Sequence, residues 1–199
     1  MPEVAPMLIV CVEVELVEAE LVGGLLACPS CRETLRPWGH ARRRVLRCRS
    51  GDRWLRPRRA RCRGCAATHV LLPDVCLLRR QDEVAVIGAA ITASVAGVGY
   101  RRIAGRLDVP ADTVRGWLRR FGERAELLRA HFTRCAVVLD PELGPVVPAG
   151  SSVADAVEAI AVAARAWVLR FEPADPWRTS SRLSGGGLLA TRVPAFRWV

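Results

Sequence analysis

Two Cys-x-x-Cys pairs, "CPSC" at Cys28–Cys31 and "CRGC" at Cys62–Cys65, stand thirty residues apart. Two residues between cysteines let a tight turn aim both thiolates at one point, and two such knuckles complete a tetrahedral S4 set. The spacing predicts one structural Zn²⁺ held by Cys28, Cys31, Cys62 and Cys65. A redox dithiol needs only one pair, normally at a helix start in an α/β context, and thiols packed without metal are the remaining alternative. His69, four residues after Cys65, can replace one thiolate. Cys48, in the turn "RCRSGD", reads as a bystander, as do Cys11, Cys76 and Cys135. The opening "MPEVAPMLIVCVEVE" has no basic n-region and its apolar run breaks at Glu13. The expectation is therefore a cytoplasmic, nucleoid-associated protein whose eight cysteines stay reduced.

Between the knuckles the charge is one-sided. Residues 32 to 63 hold thirteen arginines against Glu33 and Asp52, whereas residues 1 to 27 hold five acids and no base. All thirty basic residues are arginine, and lysine and asparagine are absent, as in a GC-rich coding sequence. Codon drift accounts for the choice of arginine, not for its clustering. Such a field suits a polyanion, since each phosphate neutralised releases counterions; a solvated basic face is the alternative. The runs "RRRVLR" and "RWLRPRRARC" flank "SGD" as in a β-hairpin. Alternation puts Trp54, Arg56, Arg58 and Cys62 on one face and Arg53, Leu55, Arg59 and Arg61 on the other. With arginine on both faces the ribbon has little apolar area, so the metal must act as its staple. Arg56, Arg58, Arg59 and Arg61 are the expected phosphate contacts. Trp38 and Trp54 are expected to form a miniature core, with stacking on bases as the alternative.

After "THVLLPDVCLLRR", read as a linker, the periodicity turns helical. Residues 84 to 98 are uncharged but too short to span a bilayer comfortably. They predict a buried helix with Asp82 as N-cap and Val84, Ile87, Ile91 and Val95 as its stripe, ended by Gly97 and Gly99. A short helix follows from Tyr100, with Ile103, Ala104 and Leu107 inward. "ADTVRGWLRRF" then makes another, burying Val114, Trp117, Leu118 and Phe121. This is helix-turn-helix spacing: Ala104 at the crossing, Asp108 and Val109 in the turn, Val114 and Trp117 as anchors. Ala111, Asp112, Arg115, Gly116 and Arg119 then face outward to read bases, while Thr113, Arg101, Arg102 and Arg120 meet phosphates. A three-helix bundle that binds a protein is the alternative, and Asp112 can equally serve the helix dipole.

Elsewhere, residues 1–27 predict a strand and helix packing beside the ribbon. "VADAVEAIAVAARAWVLRF" predicts one amphipathic helix capped by Ser151 or Ser152. The expected fold is α+β: a zinc ribbon over 28–76, a helix-turn-helix bundle over 79–130, a C-terminal helical segment over 131–171, and a loosely ordered tail over 172–199.

The layout "CPSC … LRPWGHARRRVL … RPRRARCRGCAATHVLLP … LRR" followed by "YRRIAGRLDVPADTVRGWLRRF" resembles an actinobacterial family of unknown function that pairs a zinc ribbon with a helix-turn-helix. That family in turn resembles the N-terminal DNA-binding region of insertion-sequence transposases. The resemblance covers roughly residues 22 to 130 and implies double-stranded DNA as partner, zinc on the four cysteines, and base reading around Arg115. One departure is Arg32, which follows the second cysteine of its knuckle where glycine or another small residue is usual. The leading expectation is a DNA-binding regulator or accessory factor, not an enzyme. The rival is a transposase, which needs three carboxylates on an RNase H-like domain of ~100 residues or more. Asp140, Glu142, Asp155 and Glu158 lie on a proline-rich loop and one helix, which does not make such a domain. A homodimer, a separate transposase catalytic subunit, and RNA bound by the ribbon complete the partners considered; a membrane is not among them.

Overall fold

The computed structural model describes residues 7–144, 146–171 and 173–190, which form a mixed α+β fold of seven helices and six strands. Strand β1 (Met7–Val10) runs parallel to β6 (Thr68–Pro73), which pairs antiparallel with β5 (Arg58–Cys62), and β5 pairs antiparallel with β2 (Leu35–His40). Strands β3 (Arg44–Cys48) and β4 (Gly51–Leu55) form a second, two-stranded sheet. The Ala41 N–H donates to Pro57 O at 2.8 Å between the two ladders. The hairpin is therefore the continuation of the β2–β5 pair, interrupted where Pro57 has no N–H to donate and where the register shifts between Pro37 and His40.

The segment expected as a linker begins instead with strand β6. This is the inner strand between β1 and β5, with Leu71 and Leu72 buried on opposite faces. A short apolar run hidden on both sides carries no alternation to mark it as a strand. On one face of the sheet Leu35, Ala60, Cys62 and Leu71 pack under Val17 and Leu21 of helix α1 (Val14–Val22). The acidic N-terminal segment thus supplies apolar area that the arginine-rich ribbon lacks. Toward β1, Leu46 of the hairpin packs with Leu72, Met7 and Ile9.

The remaining helices share one core. They are α2 (Val84–Val95), α3 (Tyr100–Leu107), α4 (Ala111–Gly122), α5 (Ala125–Leu139), α6 (Ser152–Arg170) and α7 (Pro176–Leu183). Helices α5 and α6 lie side by side and parallel: Arg170 Nη1 reaches Leu139 O at 3.4 Å, and Gly122 faces Val153. The expected boundary at 130/131 therefore falls inside α5. Ser151 caps α6, its Oγ accepting from Ala154 N at 3.2 Å. Asp82 does not cap α2; Glu83 occupies that position without a side-chain bond, and Asp82 turns to Arg47 of β3 at 2.9 Å. The α2 stripe also differs from expectation. Val95 is exposed, while Val86, Gly88 and Ala90 are buried, because α7 covers a second flank and the Trp177 indole lies where a Gly88 Cβ would be.

Residues 173–190 are thus no loose tail, whereas 191–199 lie outside the described residues. Asp175 caps α7, accepting from Trp177 N and Arg178 N at 2.9 and 3.0 Å, and Pro176 suits the first turn. Serines here read as loop in sequence. In the fold Ser181 Oγ donates to Cys76 O at 2.7 Å, and Leu188 and Leu189 enter the core.

Candidate metal centre and basic faces

The four cysteines of the two knuckles come together from the loop before β2 and the end of β5. The Sγ atoms of Cys28, Cys31, Cys62 and Cys65 all lie within 4.8 Å of one another, with Cys28–Cys65 at 3.7 Å and Cys31–Cys62 at 3.3 Å. A tetrahedral ion with metal–sulfur bonds of ~2.3 Å asks for sulfurs ~3.8 Å apart, so the donor set fits such an ion. The knuckles mirror each other. The N–H of each first cysteine is tied to the carbonyl five residues on, Cys28 to Glu33 at 2.8 Å and Cys62 to Ala67 at 2.9 Å. The residue after each second cysteine is left-handed, Arg32 at φ 67° and Ala66 at φ 60°. Arg32 accordingly occupies the position where glycine is usual, at a backbone cost of ~1 kcal/mol.

Cys62 ionises readily, its pKa brought down to about 7. Burial opposes this, but the backbone N–H groups of Cys65 and Gly64 and the Cys31 thiol favour the thiolate. His69 is buried on β6 with Nε2 3.4 Å from Cys28 Sγ, beside the four sulfurs rather than in place of one. Cys76 and Cys135 sit elsewhere, their thiols pushed up to about 11 and about 12 by burial.

The sheet sorts the ribbon arginines by face. Arg58 shares the parity of buried Ala60 and Cys62 and therefore points toward α1. Its Nε and Nη2 hold the Glu18 carboxylate at 2.7 and 3.0 Å, and its Nη1 donates to Gly39 O at 2.6 Å. This engagement, which no local pattern announced, sets Arg58 apart from the other expected phosphate contacts. Arg59 and Arg61 lie on the opposite face, Arg59 beside Thr68 Oγ1 at 3.5 Å, and Arg56 is exposed at the break. Arg61 and its cross-strand partner Arg36 flank Trp38, with guanidinium carbons 4.7 and 5.8 Å from the ring centroid. Neither tryptophan forms the expected miniature core: Trp38 is 44% and Trp54 63% exposed, with Arg43 5.0 Å from the Trp54 ring. Aliphatic residues of β1, α1 and β6 fill that core instead.

The second basic face belongs to α3 and α4. Ile103, Ala104, Val114, Trp117 and Phe121 are buried, Leu118 is half-buried, and Asp108 makes the turn in the left-handed region at φ 51°, ψ 49°. Asp112, Arg115 and Arg119 are exposed, while Ala111, Thr113 and Gly116 are half-buried. Arg115 pairs with Asp112 at 3.0 Å and Arg119 with Glu123 at 2.7 Å. Arg120 folds back, its Nη1 donating to Gly116 O at 3.1 Å. Arg101 and Arg102 are exposed on α3.

Residues 28–109 match a family described as a domain of unknown function, DUF6431. That span runs from the first cluster cysteine to the residue after the turn aspartate. No curated protein and no solved structure matches the chain. Among the described residues, no helix is long and apolar enough to cross a membrane.

Proposed function

We propose that this chain is a duplex-DNA-binding protein in which α3 and α4 act as a helix-turn-helix and a structural zinc ion on the four cysteines fixes an arginine-rich ribbon. The observation that carries this reading is the α3–Asp108–α4 unit, whose apolar side is buried while Arg115, Asp112 and Arg119 remain exposed. A guanidinium near the start of a helix in the major groove can meet guanine O6 and N7 together. The neighbouring surplus of arginine supplies sequence-blind attraction to phosphates. Zinc suits the site because four thiolates at tetrahedral spacing select a soft, four-coordinate ion. The protein acts by binding, as a cytoplasmic regulator or accessory factor of transposase ancestry. Asp155 and Asp140 serve the loop between α5 and α6, accepting from Ala149 N and Glu142 N; no strand cleavage is expected with Mg²⁺ and DNA.

Selection from a random duplex pool should return a reproducible site. On that site Arg115→Ala should cost about 1–3 kcal/mol and relax preference at one base pair. A flat selection, or an Arg115→Ala variant that weakens all duplexes equally, would remove α4 as the reader.

A further inference from the structure

A DNA duplex presents phosphates and base edges along its length, and its base faces are stacked away from any side chain. The ribbon nevertheless displays two flat aromatic surfaces within its most basic stretch. Trp38 lies on the face of the sheet opposite α1, between the cross-strand arginines 36 and 61. Trp54 lies on β4 opposite Val45, on the side of the hairpin away from buried Leu46. Single exposed apolar side chains need no explanation. Two tryptophans, Trp38 between two guanidinium groups and Trp54 beside the one of Arg43, in a stretch over residues 32 to 63 that holds thirteen arginines against Glu33 and Asp52, form a pattern. Its charge selects a polyanion, and its indoles offer π-faces that only an unstacked base can use.

We propose that the ribbon binds unpaired nucleotides, with Trp38 and Trp54 as stacking platforms and Arg36, Arg59 and Arg61 as phosphate partners. The proposal rests on nucleic-acid binding as read above but not on α4. Arginine is suited to the second role because a guanidinium leaning on an indole can swing to a phosphate when a base takes its place. Arg58 is not among these groups, since Glu18 holds it on the other face.

Anisotropy titrations of the metal-loaded full chain with three labelled probes test this: a blunt duplex, the same duplex with a six-nucleotide dT overhang, and dT15 alone. The overhang should tighten binding about tenfold, within the range of stacking one or two bases. Trp38→Ala and Trp54→Ala should each remove several-fold of that gain and of dT15 affinity, with blunt-duplex binding unchanged. Trp38→Phe should keep most of the gain. Because both side chains are exposed, unchanged metal content and thermal midpoint verify that the variants remain folded. No gain from the overhang, or an equal loss on blunt duplex, would overturn the proposal. So would capture of polyglutamate in place of every oligonucleotide, which would make the ribbon a site for an acidic protein. Failure of the α4 reading looks different: selection on blunt duplexes would be flat or Arg115→Ala would weaken all of them equally, while dT15 would still bind and respond to the tryptophan variants.

Discussion

Arg58 and Arg59 are neighbours in sequence with opposite assignments. Arg58 is locked to Glu18 and Gly39, so Arg58→Ala should lower stability by about 1–2 kcal/mol and leave the salt dependence of DNA binding nearly unchanged. Arg59→Ala should do the reverse, reducing the slope of log affinity against log salt by about one unit, since one phosphate keeps its counterions. Chemical denaturation and salt titration of both variants separate the cases. His131 on α5 offers a second test. Burial holds its pKa below the ordinary 6.5, with Nε2–H donating to Leu183 O at 2.9 Å. The unfolded chain therefore binds the extra proton first. Stability should be undiminished above pH ~6.5 and fall as pH drops toward the lower folded value. His131→Gln should flatten the thermal midpoint between pH 7 and 5, and an unchanged slope would assign it to another group.

At the scale of elements, the four-cysteine cluster and the helical core divide the work. The helical core is assembled from residues between Leu77 and Leu189, beyond the last strand of the ribbon. Chelation, or Cys62→Ser, should release one ion per chain and expose amides of 28–73 to hydrogen exchange, while α2 to α6 keep their protection. Concerted loss of both would show that the ribbon's small core cannot be separated from the helices. What sequence made legible follows from range. The knuckles, the α3–α4 spacing and the Ser151 cap depend on residues a few positions apart, and each lies where its spacing placed it. Strand β6 and helix α7 did not show themselves because their stability comes from partners far along the chain. "THVLLP" becomes a strand by lying between β1 and β5, and "WRTSSRL" becomes a buried helix because Ser180 and Ser181 satisfy Trp177 O and Cys76 O. The tryptophans were misplaced for the converse reason: the core they were expected to fill is supplied by β1 and α1.

At the scale of the molecule, the ribbon and helices are not beads on a linker. Arg47 pairs with Asp82 across the junction, and Arg178 and Arg182 of α7 converge on Asp74, which is fully buried just after β6. Asp74 Oδ2 lies 3.2 Å from Arg178 Nη2 and 2.6 Å from Arg182 Nε. Asp74→Asn keeps the shape and removes the charge that both cations share, leaving Arg178 with Glu13 at 3.9 Å as its remaining carboxylate. The expected cost is about 3 kcal/mol, the lower end for a broken buried pair, because both arginines still touch water. Thermal unfolding should then split, with the sheet losing protection before the helices. A single cooperative transition at the wild-type midpoint would show that α7 does not tie the halves together.

That clamp also has an order in time. Asp74 leaves the ribosome 104 residues before Arg178 and 108 before Arg182, an interval of about 5–20 s at ordinary synthesis rates. During translation the four cysteines can come together early, yet the Asp74 carboxylate lacks its counter-charge until α7 has been made. Until then water takes the place of the two guanidinium groups at Asp74, and α7, made more than a hundred residues later, closes strands already synthesised.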